Sequence, residues 1–106
     1  MTTTLVLSGF LALSAGLLGI SIFGILTRRN FILLLISIEI GMNAAILNFV
    51  YFAAFSGAST GLTGQAIAVV LIGFAATEIA VGLAIVLALN RLKGTINVAQ
   101  SNELKL

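Results

Sequence analysis

The chain has 106 residues, of which 60% are hydrophobic and 8% charged, and its mean hydropathy is +1.26. A soluble domain carries about 25% charged residues, and one of this size could not hide so much apolar surface, so the expected solvent is the bilayer. The absence of Cys and His excludes disulfides, thiol chemistry, the commonest metal ligand and the usual near-neutral base.

The first uncharged run is Thr2–Thr27. At 1.5 Å per residue a span needs about 20 residues, so this run is long enough to cross. A cleaved signal peptide is the rival reading. "MTTTLVLSGF" has no positive start, and the apolar stretch is too long for a signal-peptide core. "TRRN" (27–30) is then a short polar break that forces an antiparallel hairpin. The second run, Phe31–Phe55, is apolar except for Glu39, Asn43, Asn48 and two hydroxyls. "SGASTGLTG" (56–64) reads as a short surface loop because Gly, Ser and Thr dominate it. The third run, Gly64–Asn90, is apolar except for Gln65, Thr77, Glu78 and Asn90. The remainder, "RLKGTINVAQSNELKL", is a polar tail.

The expectation is an all-α membrane protein: one membrane domain, 1–106, with three transmembrane helices near 3–26, 31–55 and 64–90 and a tail at 91–106. Three spans put the first loop and the tail on one side. Arg28, Arg29, Arg91, Lys93 and Lys105 all fall there, and none falls on the other side. The positive-inside rule then places the N-terminus out and the C-terminus in. With no Pro in the chain, no span carries a proline kink. Helices in lipid associate through small residues. The run Ala76, Ala80, Ala84, Ala88 is expected to form a flat contact face, with Ala12/Gly16, Ala15/Gly19 and Gly24 as candidates on the first span.

Glu39 and Glu78 are the only charges within the spans. Glu39 lies about eight residues, or roughly 12 Å, from the cytoplasmic start of its span, and Glu78 about eleven residues, or roughly 16 Å, from the cytoplasmic end of its own. An ionised carboxylate there costs about 2.5–3.5 kcal/mol even on the lenient insertion scale. Burial disfavours the charged form of any carboxylate, so such groups are suited to taking up and releasing protons. A lone intramembrane Glu can also be a neutral hydrogen-bonding residue that joins helices, but two at matched depth favour proton handling. Asn43, one turn from Glu39, can donate a hydrogen bond or hold a water. Thr77 adjoins Glu78 in sequence but lies about 100° round the helix.

Other chemistry lacks residues. A Ser–Lys pair is not available within the spans, because every Lys is in the tail. Gly57, Gly61 and Gly64 are not followed by the Gly-Lys of a phosphate loop, and two acids alone build no metal site. The basic residues read as topology signals and lipid headgroup contacts rather than nucleic-acid ligands.

Three stretches carry a family resemblance. "TRRNFILLLISIEIGMNAAILNFV" (27–50) has a basic loop, then a helix with an acid and an Asn four residues on. "AATEIAVGLAIVLALNR" (75–91) has an alanine-rich segment with a second acid, followed by Gly-Leu-Ala. "GTINVAQSNELKL" is a tail of matching character. Over essentially all of its length the chain resembles the K-subunit family of proton-pumping NADH:quinone oxidoreductase (complex I), whose mitochondrial counterpart is NADH dehydrogenase subunit 4L. The resemblance implies that Glu39 and Glu78 belong to the proton-translocation path and that Arg28 and Arg29 form the cytoplasmic basic loop that supports activity. It implies packing between a quinone-proximal subunit and antiporter-like ones in an energy-coupling membrane: a bacterial or archaeal plasma membrane, with thylakoid and mitochondrial inner membranes as alternatives. No cofactor would be bound by this chain; NADH, flavin, iron–sulfur clusters and quinone would be handled elsewhere in the complex. Thr77 departs from the Ala often found before the second acid, and the loop at 56–63 is longer than in some members. Alternatives are the equivalent subunit of a membrane-bound hydrogenase, or of a dehydrogenase using a reduced deazaflavin cofactor. The small subunit of multisubunit sodium/proton antiporters generally lacks the two acids. An autonomous small transporter of the multidrug type would have four spans, with its Glu in the first.

Overall fold

A hairpin and a third, longer helix make up the molecule. In the computed structural model, which describes residues 1–55 and 58–93, the helices are α1 (Thr2–Thr27), α2 (Phe31–Phe55) and α3 (Ala58–Lys93). All three are long and apolar enough to cross a membrane. Ser56, Gly57 and the tail from 94 onward, with Lys105, lie outside the described residues.

The first turn forms as the sequence predicts. Arg28 leaves α1 in an extended conformation, and its backbone N–H donates to the Gly24 carbonyl at 3.0 Å. Two residues later Asn30 starts α2. Its Oδ1 accepts from the backbone N–H groups of Ile32 at 2.9 Å and Leu33 at 3.4 Å, satisfying donors that a helix start leaves unpaired.

The second connection differs from expectation. The Gly, Ser and Thr stretch read as a loop to residue 63 is already helical from Ala58. Each Gly costs a helix roughly 1 kcal/mol against Ala, but here the glycines serve packing. Gly61 is buried, and a Cβ on Gly64 would lie 2.7 Å from the Ala53 Cβ. Gly64 lets α3 approach α2 rather than turn the chain.

Helix α2 is the middle of the row. Its contacts with α1 involve Ser37, Gly41, Asn48 and Tyr51, and its contacts with α3 involve Leu35 and Ala53. Two residues turn a helix by about 200°, so Leu35 and Ser37, like Tyr51 and Ala53, point to opposite sides. Hence α1 and α3 flank α2 on opposite sides, and the molecule is a slab one helix thick.

The α1/α2 seam interlocks reciprocally. Ser37 of α2 fills the space where Gly24 of α1 lacks a Cβ, and Ser21 of α1 does the same at Gly41 of α2. In lipid such close approach replaces the missing hydrophobic drive. Towards the far end Phe10, Tyr51 and Phe55 stack, with centroids 4.7 Å apart for both pairs that Tyr51 makes with them.

On α3 the contact face is not the expected alanine ladder. Ala76, Ala80, Ala84 and Ala88 are exposed, whereas Gly61, Ala68, Ala75 and Val86 are buried. A run at strict four-residue spacing drifts about 40° per step and winds off any one face. Steps of seven and eleven, as in the buried set, drift only about 20° each and in opposite senses, so they stay on it. Gly9, Gly16, Gly19 and Gly73 likewise face open space, so of the first-span candidates only Gly24 is used within the chain.

Candidate functional site: two intramembrane carboxylates

The α2/α3 seam fixes where Glu39 and Glu78 stand. A Cβ on Gly82 would meet the Leu35 Cδ2 at 2.5 Å and Cδ1 at 2.9 Å; at the other end of the seam, Gly64 faces Ala53. Leu35 and Ala53 lie about five turns apart on α2, and Gly64 and Gly82 about five turns apart on α3. The two helices therefore keep antiparallel register along the seam. Glu39 follows Leu35 by one turn and Glu78 precedes Gly82 by one turn, so the carboxylates are level. Their distances from the ends of the apolar runs suggested only similar depth. The difference arises because α3 continues past the start of α2: Phe31 is level with Val86, and the segment to Lys93 runs on for about two more turns.

The same contacts give direction. Four residues advance a helix by one turn and about 40°, so each acid stands about 40° off the seam. Glu39 comes after its seam residue and Glu78 before its own. On antiparallel helices those offsets fall on opposite sides, placing the two acids on opposite broad faces of the slab. Glu39 is half-buried and Glu78 exposed. Any path from one to the other crosses the α2/α3 seam.

The supporting residues are distributed unevenly. Asn43 is exposed, one turn beyond Glu39 and on the same broad face, and no hydrogen bond joins the two. Thr77 is exposed, and its Oγ1 donates to the Gly73 carbonyl at 2.6 Å. That bond engages the hydroxyl with its own helix rather than with Glu78. Arg28 and Arg29 are exposed at the α1–α2 turn, about three turns beyond Glu39. Among the described residues no group of three or more His, Cys, Asp or Glu could hold a metal.

One polar feature escaped the sequence reading. Asn48 Nδ2 donates to Ser14 Oγ at 2.7 Å across the α1/α2 seam, and Asn48 Oδ1 is buried with no partner. The available signal was the seven-residue spacing of Ser14 and Ser21, which keeps both on one side of α1; both are buried.

A polytopic helical membrane protein with ionisable side chains at one level inside its spans defines a class: a membrane subunit equipped for ion or proton handling. The family model for NADH-ubiquinone/plastoquinone oxidoreductase chain 4L matches residues 9–106, and the chain belongs to that family. It is similar to the NADH-quinone oxidoreductase subunit K of Anaeromyxobacter sp. (strain K), 49% identical over 84% of this chain and 87% of that protein. The subunit K of Bacillus anthracis is 44% identical over 92% of this chain and 93% of its own length. That of Brevibacillus brevis is 40% identical over 96% and 98%.

Proposed function

We propose that this chain is a membrane-arm subunit of a proton-translocating NADH:quinone oxidoreductase and that Glu39 and Glu78 carry protons within it. The family and its subunit K relatives support the first part. The observation that carries the second is the placement of the only two in-span carboxylates at one level of the α2/α3 pair. Leaving either acid ionised against lipid would cost about 2.5–3.5 kcal/mol. Protonation avoids that cost, and a group that alternates between the two forms as its surroundings change moves a proton.

The chain binds no redox cofactor in this reading. NADH, flavin, iron–sulfur clusters and quinone belong to other subunits, and coupling to the redox step is conformational or electrostatic. Neighbouring membrane subunits cover the broad faces and supply any cation that pairs with the acids, since no Lys or Arg lies within the described apolar spans. The N-terminus faces away from the cytoplasm, matrix or stroma and the basic loop faces towards it, as the clustering of Arg28, Arg29, Arg91 and Lys93 supports. The relatives' names favour NADH over a reduced deazaflavin or hydrogen as the electron source.

The test is Glu39→Gln in the native membrane, with assembly checked on a native gel. We expect an assembled complex whose NADH-driven quinone reduction and proton pumping both fall at least tenfold. Near-wild-type pumping would assign Glu39 a neutral hydrogen-bonding role and remove it from the proton path.

A further inference from the structure

The α2/α3 seam carries two close contacts made possible by glycine, and they differ in what stands beside them. At Gly64 the neighbour is Ala53, far from either acid. At Gly82 the isopropyl group of Leu35 occupies the space a Cβ would need. Leu35 is one turn from Glu39 along α2, and Gly82 is one turn from Glu78 along α3. Among the glycines described, no other close contact of this seam adjoins both acids.

We propose that Leu35, seated in the notch at Gly82, is the positioning contact that sets the height and spacing of Glu39 and Glu78 across the seam. The inference rests on the proton-handling reading above and adds a residue pair to it. Any side chain on Gly82 has to displace Leu35 or push α2 from α3 one turn from the acids. Either change alters the path between the two faces of the slab. The seated leucine also fills the seam one turn from the acids. Leu35 and Gly82 touch no proton themselves; they act through the two carboxylates.

The experiment is a set of variants of the whole complex in native membranes: Gly82→Ala, Leu35→Ala, Gly82→Ala with Leu35→Ala, and Gly64→Ala as the seam control. Assembly, quinone-reduction rate across pH 5.5 to 9 and proton pumping are measured for each. Glu39→Gln and Glu78→Gln run alongside. We expect Gly82→Ala to assemble, to lower coupled turnover by roughly three- to tenfold and to shift the pH profile. Leu35→Ala in the same chain is expected to restore both by making room for the new methyl group. Gly64→Ala is expected to leave the profile in place.

A Gly82→Ala complex with wild-type rate and profile overturns the positioning role. So does a Gly64→Ala complex whose profile shifts equally, because general loosening of the seam would then suffice. If Gly82→Ala does not assemble, Leu35→Ala alone decides the matter. It empties the notch without a clash, and an unshifted profile overturns the proposal. Full activity in both carboxylate variants sinks the proton-handling reading itself, an outcome distinct from failure of the Gly82 series alone.

Discussion

Asn48 and Ser14 show how a single polar pair behaves between helices in lipid. The amide donates across the α1/α2 seam, and its oxygen is already without a partner. Ser14→Ala would leave the whole amide unsatisfied. Losing a partner from a buried polar group costs about 1–3 kcal/mol, whereas hydrogen bonds between membrane helices average only about 0.6 kcal/mol. The single substitution is therefore expected to destabilise the assembled subunit more than Ser14→Ala combined with Asn48→Leu. Detergent-induced dissociation of the purified complex would measure this; equal losses from the two would show that the amide finds another partner. At this scale much of the candidate site was legible: two acids stand out in a chain with so few charges. Asn43 was placed on the same side as Glu39 by its spacing alone. The Leu35–Gly82 contact was not legible, because a leucine and a glycine in apolar spans carry no mark of which partner they meet. Nor could spacing along one helix reveal that the acids occupy opposite faces, since that depends on the antiparallel partner.

Among the elements, the α1–α2 turn was read well and the α2–α3 turn was not. "TRRN" contains an N-cap residue between two apolar runs, and local chemistry alone ends one helix and begins the next. Asn30→Ala removes the side-chain acceptor for Ile32 and Leu33 and is expected to cost about 1 kcal/mol. Hydrogen exchange of the first turn of α2 would detect the loss, and unchanged protection there would mean that packing alone holds the turn. The stretch 58–63 misled because Gly, Ser and Thr signal a loop in water. Within a membrane the same residues are what a helix needs to approach its neighbour. The alanine ladder is not the face that α3 turns to α2, since spacing shows which residues align along a helix but not which side meets a given neighbour.

For the whole molecule, apolar length and composition sufficed to read three crossings. Each candidate span, at 26, 25 and 33 residues, exceeds the roughly 20 needed, so the helices tilt or extend into the interface. Orientation can be tested directly because the chain has no Cys. Arg29→Cys is expected to react with a membrane-impermeant maleimide only from the cytoplasmic, matrix or stromal side, and Thr3→Cys only from the opposite side. The reverse pattern would invert the topology. The packing of the slab was not legible at this scale, because nothing in the composition says that α1 and α3 sit on opposite sides of α2.

A row of helices one layer thick, with an acid on each broad face, has no interior in which to keep those acids before its neighbours arrive. Newly inserted and still alone, the chain would leave both carboxyl groups on faces open to lipid, where an ionised acid costs about 2.5–3.5 kcal/mol. Partners that cover those two faces would relieve that cost, so the placement of the two acids favours the assembled chain over the lone one.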